Sequence, residues 1–221
     1  MDEHRVLMLG SGGQGRVLAD IMRCSGMQLA GIVDDTVIAG CQRLGVAVLG
    51  GCDQLPRIMR ETGCRRLVLA VGHNGRRLAL AARIEALCPD VIWQALRHPA
   101  AVVATDAVIG AGSVVMASAV INPGACVGRH CIVNTAAVVE HDCCLADGSS
   151  LGPRAVLGGH VRLGEGAVVA IGASVINARQ VGAHSLLGAG GIAVHDLPAF
   201  TVALGVPARP VRSRTALDDY L

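Results

Sequence analysis

The sequence predicts a chain of two unlike parts, an α/β domain followed by an all-β solenoid of six-residue repeats. Up to about residue 97, short aliphatic runs alternate with helical patterns. Beyond it, Val, Ile or Leu falls at every sixth position from Val103 to Leu187, fifteen times without an insertion. Composition bounds the class. The 221 residues are 52% hydrophobic and 16% charged, with 29 glycines and only three aromatics, Trp93, Phe200 and Tyr220. That balance excludes a disordered chain, and the length allows a real core in one or two domains.

In the first part, 6–9, 29–33, 67–71 and 91–93 are aliphatic runs of the kind that form buried parallel strands. Helical patterns lie between them at 15–24, 54–62 and 76–87. Such βαβ alternation implies a small Rossmann-like unit over residues 1–97. His98-Pro99 breaks the pattern and marks the start of a second unit, 98–221.

In the second part the aliphatics at 103, 109, 115 and onward are followed four residues later by mostly small ones, such as Ala107, Ser113, Ala119 and Cys131. Glycine recurs just after the aliphatic, at 110, 128, 152, 158, 164, 182 and 188. Each hexad reads as one short strand with its aliphatic inward and a turn after it. Three hexads close a triangular coil, and five coils stack to about 24 Å at the usual strand spacing. Because each repeat touches only its neighbours, the ends need covering. The N-terminal domain and the Pro-rich tail 197–210 are the expected caps.

Charge and motifs narrow the partners. Nineteen basic residues against 17 acidic ones give +2, with no basic stripe and no aromatic surface for stacking bases, so nucleic acid is not expected. Nine cysteines without a CxxC pair read as small reduced hydrophobes. No apolar run approaches the ~20 residues of a membrane span, and MDEHRVLMLG lacks the pattern of a signal peptide. A soluble cytoplasmic protein, with no membrane partner, is the expectation.

Stacking at 18 residues turns spacing into geometry. His141, Gly159, Asn177 and His195 fall on one prism edge, with Gly159 about 4.8 Å above His141. An imidazole under a glycine N–H suits acyl transfer, the ring taking a proton and the N–H stabilising an oxyanion. In the first domain, Gly10-Ser11-Gly12-Gly13-Gln14-Gly15 follows the first strand and opens a helix, and Asp34-Asp35 ends the second strand. Glycines there let a phosphate or sugar approach the backbone. Gly72-His73-Asn74, followed by Arg76 and Arg77, is a third candidate, placed after a strand where α/β ligands bind. The basic pair could reach a diphosphate, and a solvated helix face is the equal alternative.

Asn134-Thr135, then Glu140-His141-Asp142, the hexads to Ala173, and Gly205-Val206-Pro207-Ala208-Arg209 together resemble the bacterial nucleotide-sugar acetyltransferases. That group includes the bacillosamine and perosamine N-acetyltransferases and the sialic acid O-acetyltransferases. The resemblance implies a left-handed parallel β-helix that binds acetyl-CoA, behind a domain that holds a nucleotide-linked amino sugar. It implies His141 as general base, Asp142 as its orienting acid and Gly159 as oxyanion donor. It further implies a path for CoA along Gly159, Asn177, Ala178, Pro207 and Arg209. The nucleotide sugar would lie on Gly10, Gly12, Gly13, Gln14, Asp34, Asp35, His73, Asn74 and Arg77. A homotrimer with active sites between subunits, GDP-perosamine as the favoured substrate and no metal complete the expectation. The chain departs from the family at Gln14, commonly His, and at Thr36, often Lys.

Three other readings stand beside this one, and the first is a non-enzymatic scaffold that uses the prism for assembly. Acetyl transfer to a sugar hydroxyl, of the sialic acid type, uses the same base. A zinc lyase on the same prism needs about three converging ligands. The edge of His141 offers Gly159 and Asn177 in the next two coils, and His195 only three coils away. His130, His160, His184 and His195 read as surface residues.

Overall fold

The computed structural model describes residues 4–220. Residues 1–3 and 221 lie outside the described residues, and with them the first three residues of the MDEHRVLMLG stretch and the outer limits of both expected units.

The first unit is a sheet in the order β3-β4-β2-β1-β5-β6, formed by Arg5–Leu9 (β1), Gln28–Val33 (β2), Gln42–Arg43 (β3), Val46–Gly50 (β4), Arg66–Leu69 (β5) and Ile92–Trp93 (β6). Helices Gly13–Cys24 (α1), Leu55–Thr62 (α2) and Asn74–Leu87 (α3) cover its two faces. Leu7 and Leu9 pack with Leu55, Ile58 and Ile84, whereas Val6 and Met8 pack with Leu18, Ile21 and Met22. Strand β1 is therefore buried on both faces, which is why its sequence is an unbroken aliphatic run rather than an alternating one. The hairpin β3–β4 is an addition to the sequence reading. Its two-residue loop, Leu44-Gly45, has φ of 51° and 82°, the pattern of a type I′ turn. Leucine at the first of these positions conceals that turn in the sequence.

The second unit is a three-faced prism. Among the described residues, seventeen two-residue strands follow one another every six residues, from Leu96–Arg97 to Ile192–Ala193. Each pairs in parallel with the strand 18 residues on, as Val114 with Ile132 and Val120 with Val138. The inward residues Val115, Val127, Val133, Val139, Leu145 and their successors form one continuous core. The prism extends one strand past the fifteen hexads at each end. Leu96–Arg97, on the N-terminal side of the expected division, already pairs with Val114-Val115.

The repeat makes two different demands on small residues. Every sixth residue from Gly112 to Gly190 has a positive φ, including His130, Asp142, His160, Ala178 and His184. These are the corners, where the chain turns from one face to the next. The glycines one position after the aliphatic serve close approach instead. A Cβ on Gly110 would stand 2.4 Å from the backbone of Gly128 in the next coil. Hence a corner accepts histidine or aspartate at some cost in strain, while a side chain at Gly110 would require the next coil to move, although other hexads carry Met116, Asn122 or Glu140 at that position.

The α/β unit packs against the first face, its core joining the outward Leu96, Val114 and Ile132. It runs along the side of the prism rather than across its end. The tail does extend the prism: Leu197 bridges to Val181, and Thr201–Gly205 pairs with Leu186-Leu187 before folding back as Ala208–Ser213.

The start of α3 is the clamp between the units. Arg77 is 1% exposed. Its five N–H donors meet five acceptors, the carbonyls of His130, Gly148, Val71 and Gly72 and the side-chain oxygen of Asn74. Burial lowers its pKa to about 10, so it remains a cation at neutral pH. Asn74 donates to the carbonyls of Gly166 and Ala167 and accepts from Ser150. The expectation that Arg77 and Asn74 contact substrate is therefore corrected. Their polar groups are consumed in fastening α3 to a prism edge.

Candidate active site

His141 stands on the edge between the second and third faces, exposed, at the turn between strands Val138–Val139 and Cys144–Leu145. Its Nδ1 lies 2.8 Å from Asp142 Oδ2. With Asp142 ionised, Nδ1–H is the donor and the lone pair of Nε2 is left bare. The hydrogen bond from His141 is the main reason Asp142 sits below the usual carboxylate range, with the charges of His160 and His141 adding to it. The Nε2 side of the ring rests on Gly159: a Cβ there would come within 2.6 Å of both Nε2 and Cε1. Gly159 is thus glycine because an imidazole occupies the space of its side chain. Among the described residues, its N–H has no hydrogen-bond acceptor. The stacking of the two residues is maintained by the backbone bond from His160 N–H to the His141 carbonyl (3.0 Å), and the bond from Ala178 N–H to the Gly159 carbonyl (2.8 Å) ties Gly159 to the next coil.

Sequence reasoning passed over His160. Its ring meets that of His141 edge-on at 5.1 Å, and its Nε2 is 3.8 Å from the same Asp142 oxygen. It occupies the corner 18 residues after Asp142, so the hexad register could have found it. One ligand atom from each of His141, Asp142 and His160 lies within 4.8 Å of the others. The edge therefore gathers three convergent ligands where the sequence reading counted one.

Asn177 and Ala178 follow on the same edge, both exposed, with the Asn177 side chain laid over Gly158. Pro207 and Arg209 are exposed as well, but they belong to the hairpin that continues the first face. Within one chain they are not brought to the His141 edge.

The glycine-rich loop divides by role. Gly10 and Gly15 are packing glycines, since a Cβ at either would press on Ala70 or on the Gly10 carbonyl. Added Cβ atoms at Gly12 and Gly13 would meet nothing within 4 Å. Packing gives no reason for glycine at these two, and the first turn of α1 is left bare. Asp34 accepts from the N–H and hydroxyl of Ser11 on one oxygen and of Thr36 on the other. Burial alone would raise its pKa, yet these four bonds together bring it below the usual range. Asp34 is the clasp that holds the loop, and Asp35 is likewise engaged, by Cys52 N–H and Arg83. Beside the loop, a cleft of 570 Å³ is lined by Ser11, Gly12, Thr36, Arg16 and Arg43. Among the described residues, neither arginine has an acidic partner, and sequence reasoning named neither. Arg43 was hidden because the hairpin that carries it was.

Gln14 lines a second cavity, 280 Å³, between the loop and the first face, together with Gly72, Asn134 and Tyr220. Its Nε2 is buried without a partner. His73 is turned from this cavity to the tail: Nε2–H donates to the Asp218 carbonyl, Nδ1 accepts from Arg76 N–H, and the ring stacks on Tyr220. Arg76 pairs with Asp219.

Three comparisons bear on this arrangement. The family model described as the PglD N-terminal domain matches residues 5–84. The solved structure of a histidine-to-alanine variant of GDP-perosamine N-acetyltransferase from Caulobacter crescentus, in complex with CoA and GDP-perosamine, superposes with a TM-score of 0.89. The identity is 38%, covering 94% of this chain and 97% of that one. The acetyltransferase domain of PglB from Neisseria gonorrhoeae, in complex with acetyl coenzyme A, gives a TM-score of 0.85 at 34% identity over 94% and 99% of the two chains. UDP-N-acetylbacillosamine N-acetyltransferase from Bacillus subtilis is 38% identical over 115 residues, 51% of each chain. The match thus spans about half the length of that enzyme. Among the described residues, no helix is long and apolar enough to cross a membrane.

Proposed function

This chain belongs to the nucleotide-sugar N-acetyltransferases built on a left-handed β-helix, and we propose that it transfers acetyl from acetyl-CoA to the amino group of a nucleotide-linked amino-deoxysugar. GDP-perosamine is the favoured acceptor, by likeness to the Caulobacter enzyme. One observation carries the reading: the His141 ring, with Nδ1 on Asp142 and its Nε2 side against the backbone of Gly159.

The chemistry follows from those atoms. Asp142 holds the Nδ1–H tautomer, so Nε2 is the basic nitrogen. As the sugar amine attacks the thioester carbonyl, Nε2 takes the proton that the new C–N bond makes acidic. Gly159 N–H donates to the oxygen that gains charge. When the C–S bond breaks, that oxygen returns to a carbonyl and the imidazolium can pass its proton to the departing thiolate. A general base of this kind contributes about 10²–10⁴-fold. Asn177 and Ala178 would line the pantetheine arm, and the bare turn at Gly12 and Gly13 would receive the diphosphate.

The topology supports a site shared between chains. The α/β unit lies on the first face and an adjoining edge, while His141 stands on the opposite edge. With six residues to a side, that edge is on the order of 15 Å from the first face. A sugar held at Gly12 would reach His141 of another copy, and Pro207 and Arg209 would complete a CoA site in the same manner. We propose a homotrimer on this ground.

The test is an acetyl-transfer screen read by mass spectrometry, with acetyl-CoA and GDP-, UDP- and dTDP-linked 4-amino sugars, plus free sialic acid. A one-acetyl mass gain on an amino sugar is expected, and would identify the nucleotide. Acetylation of sialic acid alone would overturn N-acetylation in favour of the O-acetyl reading.

A further inference from the structure

We propose that His141, Asp142 and His160 form a binding site for a borderline divalent metal ion of the Zn²⁺ class, and that occupation of this site removes the catalytic base. The inhibitory consequence rests on the acetyl-transfer reading; the binding does not.

The donor set is two imidazoles and a carboxylate, with a fourth position open to solvent. It matches zinc sites that keep an exchangeable ligand, and imidazole selects zinc, copper or nickel over magnesium and calcium. Asp142 Oδ2 lies 2.8 Å from His141 Nδ1 and 3.8 Å from His160 Nε2. Ligand atoms around a tetrahedral zinc stand roughly 3.4 Å apart, given bonds of about 2.0–2.2 Å. Rotations of exposed side chains by about half an ångström supply the difference at these two pairs. The backbone holds the ligands in register. Asp142 and His160 occupy the same corner of adjacent coils, each with φ of 60°. Asp142 N–H donates to the Pro123 carbonyl and His160 N–H to that of His141, each at 3.0 Å. All three side chains are exposed, so an ion has an open path in.

Whichever His141 nitrogen the ion takes, the base is lost. Coordination at Nε2 uses its lone pair directly. Coordination at Nδ1 displaces the Asp142 hydrogen bond and leaves the ring's proton on Nε2. Asp20, Cys24 and His98 form another three-ligand group, and it is less suited. There His98 Nδ1 accepts from Ala100 N–H, which puts the ring's proton on Nε2, and Asp20 is paired with Arg23.

The test uses the full chain in a Cys24→Ser background, stripped with EDTA and desalted. Zn²⁺ is titrated by calorimetry, and Co²⁺ by its visible absorption. One saturable site per chain is expected. Loss of even an outer partner costs metal sites about 10–100-fold, so His160→Asn should raise the half-saturating Zn²⁺ concentration about 100-fold or more. Asparagine tolerates the positive φ, and His160→Gly is the second variant. Zn²⁺ should inhibit acetyl transfer by the parent at the concentration that saturates the site, and inhibition of His160→Asn should need about 100-fold more Zn²⁺, in step with its weaker binding. Absence of a saturable site, or unchanged affinity in both His160 variants, overturns the proposal. Zinc binding through His160 in a chain that acetylates no sugar would leave the metal site standing and remove the acetyl-transfer reading.

Discussion

At the scale of single residues, His141 and Gly159 make separable predictions. His141→Asn keeps an exposed side chain at an ordinary φ, so folding should be intact while kcat/KM falls about 10²–10⁴-fold. Wild-type turnover in that variant would take His141 out of the mechanism. Gly159→Ala acts on the same ring from the other side. Its methyl would sit 2.6 Å from His141 Nε2, so the imidazole must move. A shift of about 1 Å in a reacting group can cost on the order of 10²-fold. We expect loss of kcat with the thermal midpoint little changed, and full activity would show that the ring's resting place is not its working one. Arg77 belongs to the opposite class. Arg77→Met removes the donor from the carbonyls of His130, Gly148 and Val71 and should cost at least about 3 kcal/mol of stability. The check is urea unfolding set beside the KM for the nucleotide sugar. A raised KM with stability preserved would restore Arg77 as a substrate contact.

At the scale of elements, the seam between α3, β6 and the prism edge carries a pH dependence. His130 is 3% exposed, meets Trp93 edge-on at 4.8 Å, and has neither ring nitrogen hydrogen-bonded. Burial first, and the charge of Arg129 second, lower its pKa to about 4. An unfolded imidazole titrates near 6.5, so between about pH 6.5 and 4 the unfolded chain binds the extra proton. The contribution is complete above about 6.5 and is lost as pH falls toward 4. Urea midpoints across this range should drop more steeply for the wild type than for His130→Asn, in which asparagine accepts the corner φ. Parallel curves would mean that the ring reaches solvent.

At the scale of the whole molecule, the glycine-rich loop lies on the side of the first face and His141 on the opposite edge, so under the proposed function activity should require assembly. Light scattering should report three chains per particle. Mixed oligomers give a sharper check: Gly12→Asp, which places a carboxylate where a diphosphate would approach, and His141→Asn should each be inactive alone. Co-refolded, they should recover activity, because some sites pair an intact loop with an intact base. No recovery would mean that each chain uses its own loop and base.

The prism was legible in the residues alone, because a six-residue aliphatic period has one compact solution, a stacked coil of three faces. So was the meeting of His141 and Gly159, since a spacing of 18 in that fold is contact. The rest emerged only from the folded chain. The roles of Asn74, Arg77 and Asp34 depend on which acceptors and donors surround them, and those come from residues far along the chain or from the turn geometry. Glycines identical in sequence divided into packing glycines at 10 and 15 and bare ones at 12 and 13, because only neighbours reveal what a Cβ would strike. The side of the prism on which the α/β unit docks was invisible for a related reason. A solenoid repeats its faces, and outward aliphatics do not single one out: Leu96, Val114 and Ile132 pack under the α/β unit, while Val102 and Val156 hold the same position on the second face and stay exposed.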